Sequence, residues 1–286
     1  KLKEEAKREK DDAAEKRWMT AIKTELAEVA GFDISKLNNY TLVTIGDSIR
    51  ITGEEADDPN QMGAASIFYE KAIDNSNSGK DRKHLNEATF GFAKVLASTK
   101  DVATMSIAYT SLEKIYKSKT SDKKVKESAL FNMASISLGQ GKFDRAITQG
   151  EDFIKAYKRS RYRLSTRVII ADACYESGKK DRALGEYGNV VQSAMGYFKY
   201  SCPAMLRIIE ISKDQGRKFE AWQGANDFIN ATTKTFEKNK NKMSSVERTL
   251  WEKVQEEVED LASDGSVREK IEEQKAMEAA RDAAGH

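Results

Sequence analysis

The chain has 286 residues, 39% of them hydrophobic and 33% charged, and a formal net charge of +2. That is length and apolar content enough for one large domain or two small ones with a buried core, and the near-balance of charge excludes a global field of the kind that marks a polyanion binder. No apolar run approaches the roughly 20 residues that cross a bilayer, and two cysteines, Cys174 and Cys202, make neither a metal site nor a disulfide framework.

Only Pro59 and Pro203 interrupt the chain while Ala, Lys and Glu abound, so the first expectation is an all-α protein. The chain opens on Lys1, which fits a removed leader and a trimmed sequence alike. Residues 1–17 read as a charged helix with little to bury. Trp18, Ile22, Leu26 and Val29 then form an apolar stripe that ends before Gly31, a cover for the first helix pair. Residues 1–37 are thus a charged N-terminal helix and cap.

From residue 38 to 231 the chain repeats itself. Gly141-Lys142-Phe143-Asp144-Arg145-Ala146 is echoed by Gly178-Lys179-Lys180-Asp181-Arg182-Ala183. A small residue followed seven places later by a turn residue occurs at Gly46/Gly53, Ala134/Gly141 and Ala171/Gly178, and with one substitution each at Ala93/Lys100 and Ile209/Gly216. A second small residue opens the next segment at Ala65, Ala108, Ala146, Ala183 and Ala221, the last four spaced 38, 37 and 38 apart. Each of these alanines is followed by apolar residues at helical spacing, for example Leu184, Tyr187, Val190 and Val191. Each unit therefore reads as two amphipathic helices joined at a glycine. Gly141 and Gly178 close the first helix in the left-handed conformation. Asp144 and Asp181 are expected to cap the second, and the alanines mark close helix approach.

Residues 232–286 read as a C-terminal capping helix and a charged tail helix. Leu250, Trp251, Val254, Val258 and Leu261 form the apolar stripe, introduced by Ser244 and Glu247 in capping-box spacing, and Ser266 with Glu269 repeats that spacing for the tail.

These offsets of small, aromatic and turn residues resemble the tetratricopeptide repeat family, whose unit is a helix pair of about 34 residues. The resemblance covers residues 38–231 and implies a right-handed α-solenoid of about five helix-turn-helix repeats with flanking cap helices. The proline that usually ends each unit is missing, and the period runs a few residues long. Residues 153–191 look like the variant found in bacterial cell-envelope proteins. The resemblance so implies a periplasmic or secreted bacterial protein, with a cytoplasmic one as the alternative.

Catalytic chemistry is hard to find. His84 reads as a solvated turn residue and Cys174 as a core thiol. The glycines stand singly at helix ends, with no Walker-type loop, dinucleotide fingerprint or nucleophile elbow. Glu54, Glu55, Asp57 and Asp58 lack calcium-loop spacing and read as a solvated loop. The expectation is a protein without enzymatic activity, cofactor or metal.

In the resembled family the fifth place of each first helix lines a concave groove. Here those places are Val43, Phe90, Phe131, Val168 and Leu206, with Asp47, Lys94, Ser135, Asp172 and Glu210 beside them. An apolar track with polar flanks, Lys94 and Asp172 setting its polarity, suits an amphipathic helix or extended peptide. Packing between repeats, or a terminal helix folded into the groove, is the alternative. Members that grip the C-terminal carboxylate of chaperones present Lys, Asn and Arg at such positions; Phe, Val and Asp stand there instead, which argues against that use. The inter-repeat turns are basic, with Lys80, Arg82 and Lys83; Lys117, Lys119, Lys123, Lys124 and Lys126; Lys158, Arg159, Arg161 and Arg163; and Lys234, Lys238, Lys240 and Lys242. Along one edge they would attract an anionic surface or acidic partner. Lysines at helix C-termini also simply complement the helix dipole, and two of the patches lack the aromatic interleaving usual in nucleic-acid binding. The partners expected are thus a protein or peptide and an anionic surface, with no specific nucleic acid.

Overall fold

The computed structural model describes residues 33–56, 58–78, 84–98, 102–119, 121 and 123–284. Among these there are twelve α-helices and no strand. The expected cap stripe Trp18, Ile22, Leu26 and Val29 lies outside the described residues, as do Lys80, Arg82 and Lys83. The chain divides into two compact units at Lys142/Phe143.

The first unit holds a 3-10 turn, Ile34–Lys36, and α1 (Asn39–Ala56), α2 (Pro59–Asn77), α3 (Leu85–Ser98), α4 (Val102–Lys117) and α5 (Lys123–Gly139). Each helix packs on its successor, and α3 also packs on both α1 and α5. This pattern of neighbours in sequence order, with every other helix touching, is that of stacked helical hairpins. The small residues make it possible. Ala65, Ala93, Ala108 and Ala134 are buried, and the ring of Tyr69 is wedged between two glycines. A Cβ on Gly46 would lie 2.9 Å from Tyr69 Cε1, and one on Gly91 only 2.2 Å from it.

Gly53 departs from its expected role as a helix-closing turn. It lies inside α1, which continues to Ala56, because a Cβ there would stand 2.8 Å from Met62 Cγ; the glycine admits the start of α2. Glu54, expected in a solvated loop, is helical and pairs with Arg50 at 2.7 Å and with Lys94 at 3.1 Å.

The second unit holds α6 (Phe143–Ala156), α7 (Arg163–Glu176), α8 (Lys180–Ser193), α9 (Phe198–Asp214), α10 (Lys218–Asn239), α11 (Ser245–Ser263) and α12 (Gly265–Ala284). Again each helix packs on the next, and α7, α9 and α11 pack in series. Ala146, Ala171, Ala183 and Ala221 are buried at the crossings.

Gly141, Gly178 and Gly216 adopt φ of 69°, 75° and 71°. At each, the residue after the glycine donates its N–H five residues back, as Lys142 to Ser137, Lys179 to Cys174 and Arg217 to Ser212 at 2.8–2.9 Å, closing a Schellman turn.

The following aspartates are not N-caps. The second helices start at Phe143 and Lys180, one residue before Asp144 and Asp181, so these carboxylates sit in the first turn, where negative charge favours the helix N-terminus. They bind the next turn instead. Lys179 Nζ donates to Asp144 at 2.6 Å and Gln215 Nε2 to Asp181 at 3.1 Å. In the first unit Gln140 Nε2 reaches Ser106, in the same register, at 3.0 Å. The repeated Asp therefore joins successive hairpins.

The C-terminal end is closed by α11, whose capping box of Ser244 and Glu247 is complete. Trp251 stacks on Phe236 with centroids 4.0 Å apart and donates Nε1 to Thr232 at 3.0 Å. Ser266 is not a cap, since α12 starts one residue earlier. Asp264 takes that place and accepts from the backbone N–H of Ser266. The first turn of α12 is anchored through buried Val267, whereas Met277 near its far end is 68% exposed.

Candidate functional site

In the second unit the two-turn face of α7 carries Val168 and, one turn on, Asp172. Tyr187 projects from α8 four residues after the crossing alanine Ala183. Lys199, Tyr200, Pro203, Ala204 and Arg207 come from α9. Together they line an open cavity of about 240 Å³. Two of the seven expected groove residues, Val168 and Asp172, meet here.

Tyr187 is buried and donates its hydroxyl to Asp172 Oδ1 at 2.6 Å. Burial pushes the Asp172 carboxyl above its ordinary value, against the hydrogen bond from Tyr187 and the field of Arg207. Burial, then the Asp172 carboxylate, pushes the Tyr187 phenol up as well. Arg207 is matched by Glu210 at 2.7 Å and lies over the ring of Tyr175, 4.6 Å from its centroid, while Tyr175 donates to Glu210 at 2.6 Å. Tyr200 meets Ser165 at 3.3 Å, hydroxyl to hydroxyl. Pro203 has no N–H, so the carbonyl of Lys199 takes no helical bond from that position.

The first unit contains the same pair in the same register. Tyr69, four residues after Ala65, donates to Asp47 at 2.7 Å, and Asp47 follows the small residue Gly46 as Asp172 follows Ala171. There the space is filled: Arg50 reaches Asp47 at 3.1 Å and Tyr69 at 3.2 Å. Although burial works against it, Lys94 and Arg50 hold Glu54 below its ordinary value. The resemblance pointed to the aspartates, while Tyr187, on the apolar face of its second helix, reads in the sequence only as core.

Of the remaining expected groove residues, Val43 is buried in the core with Leu42, Ile67 and Phe68. Phe90 is half-buried against the cluster of Ala93, Met105 and Ala108. Phe131 and Leu206 are half-buried, and Lys94 is held by Glu54. On the basic turns, Lys123 and Lys124 are exposed at the start of α5, and Lys158, Arg159 and Arg161 are exposed between α6 and α7. Arg163 is half-buried and donates to the Ile154 carbonyl at 3.1 Å, closing the end of α6; Arg161 stacks on Tyr162.

Both thiols are buried, Cys202 being pushed up to about 12 by burial. His84 stands in the turn before α3 at φ 63°, its ring 5.6 Å from that of Tyr40. Among the described residues no cluster of three His, Cys, Asp or Glu is placed to hold a metal, and no helix is long and apolar enough to cross a membrane. The chain matches no protein-family model, and no curated protein matches it.

Proposed function

We propose that the chain is a non-catalytic scaffold of tetratricopeptide-like repeats that binds a peptide or protein segment along its first helices, with about five hairpins winding as a right-handed solenoid. One observation carries this reading. In each unit the first helices of successive hairpins pack in series, and on one such face an open, mostly apolar cavity includes Val168 and Asp172. Phe90, Phe131, Val168 and Leu206 are the apolar anchors, with Lys94 and Asp172 giving direction to the bound chain. A bacterial envelope assembly, periplasmic or secreted, is the setting the repeat variant implies.

The test is affinity capture from the native source with the Phe131→Ala/Val168→Ala double variant as control. Loss of the captured partner at unchanged helix content supports the reading. An unchanged capture, or a collapse of the thermal midpoint, sinks it. A second reading, assembly on an anionic surface through the basic turns, draws on the joint exposure of Lys158, Arg159 and Arg161 in one turn. Such binding weakens steeply between low and moderate salt, whereas apolar groove binding does not.

A further inference from the structure

We infer that the cavity between α7, α8 and α9 is a socket for one basic side chain of the bound segment, a lysine, whose stem lies on Val168, Pro203 and Ala204 and whose ammonium meets Asp172. This rests on the scaffold reading above and adds the chemistry that the site selects. At about 240 Å³ the cavity falls below the roughly 300–1,000 Å³ of pockets for drug-sized ligands. It is sized for a single long side chain.

The polar groups select the head group. Asp172 is fixed by Tyr187, which occupies Oδ1; among the described residues no donor reaches Oδ2. A half-buried carboxylate with one unused oxygen is stabilised by an incoming cation, and its elevated proton affinity is the mark of that unmet demand. The neighbouring positive charge, Arg207, is already matched by Glu210, and Arg167 by Glu186 at 3.3 Å. Glu176 adds negative field at the Asp172 end. Lys199, unmatched among the described residues, stands eight residues from Arg207 in the first turn of α9, about 12 Å along the helix axis. A lysine with an acidic neighbour on the same segment would satisfy both ends.

The experiment titrates the full chain, carrying 13C-labelled tyrosines, with three acetylated and amidated pentapeptides, Gly-Gly-X-Gly-Gly with X lysine, norleucine or glutamate, and follows the Tyr187 and Tyr200 ring signals. The lysine peptide is expected to give saturable shifts, with the norleucine peptide binding at least fivefold more weakly. Asp172→Asn, which retains an acceptor for Tyr187, removes that preference. Lys199→Gln, an exposed change that cannot unfold the helix, strengthens lysine binding by about twofold. Equal or tighter binding of norleucine, preference for glutamate, or no saturable shift with any peptide overturns the socket. Capture that responds to the double variant without a lysine preference removes the socket alone. Capture indifferent to the double variant removes the scaffold reading itself.

Discussion

Replacing Gly91 by alanine separates the packing argument from ordinary helix propensity, because the two predict opposite signs. Gly91 lies in the middle of α3, where alanine would normally stabilise a helix by about 1 kcal/mol. Here the new Cβ would fall 2.2 Å from Tyr69 Cε1 and 2.3 Å from Cζ. The ring has nowhere to retreat: it is fully buried, Gly46 lies against it on α1, and its hydroxyl is bonded to Asp47 and Arg50. Overpacking of this kind costs about 1–3 kcal/mol, so Gly91→Ala is expected to destabilise the first unit by that amount. In a Tyr69→Ala background the obstacle is gone, and the same substitution should stabilise by up to about 1 kcal/mol. The double-mutant cycle therefore gives a coupling of about 1–4 kcal/mol. Urea unfolding by circular dichroism measures it, and hydrogen exchange of the α1–α3 amides assigns it to the first unit. A stabilising Gly91→Ala in the unaltered chain would refute the wedge.

Gly178→Ala should cost about 1–2 kcal/mol through its left-handed φ alone, since nothing lies within 4 Å of the new Cβ; Gly178→Asn should cost less, by the same urea assay. Trp251→Ala should remove about 3–5 kcal/mol from the second unit, and Trp251→Phe, which keeps a ring on Phe236 but loses the bond to Thr232, about 1–2 kcal/mol, read as shifts in denaturant midpoint. Cys202, at about 12 in the folded chain against an ordinary value near 9.0, stays protonated longer than in the unfolded chain, so stability falls as pH rises from 9 towards 12. Cys202→Ala should flatten that slope in alkaline unfolding curves. An unchanged slope would place its origin in other groups, such as the buried phenols Tyr69 and Tyr187.

The hairpins were legible because glycine and alanine are forced at fixed offsets: a left-handed turn at Gly178 and a crossing too close for a larger side chain at Ala183 both follow from backbone geometry. The same reasoning misassigned Gly53, since a glycine required for close approach to Met62 looks like one required for a turn. Asp144 and Asp181 were misplaced by one residue, enough to change a cap into a link between hairpins, because side-chain partners in the next hairpin leave no local trace. The resemblance put Asp172 beside Val168 on one helix face, and the two line the same cavity. That the Asp172 carboxylate is held by Tyr187 was not legible, since an aromatic four residues after a crossing alanine serves the core equally well. The cavity itself depends on the α7–α9 spacing, which no periodicity reports.

The closure of the second unit by α11 sets where the stack ends. Without it, α9 and α10 would present Phe198, Phe236 and the neighbouring apolar surface to any molecule nearby. With it, Trp251 and Val254 fill that flank, and Glu252, Glu256, Glu259 and Asp260 face outward. A chain cut before Ser245 is therefore expected to expose that flank and self-associate, and the helix acts as a lid on the end of the second unit.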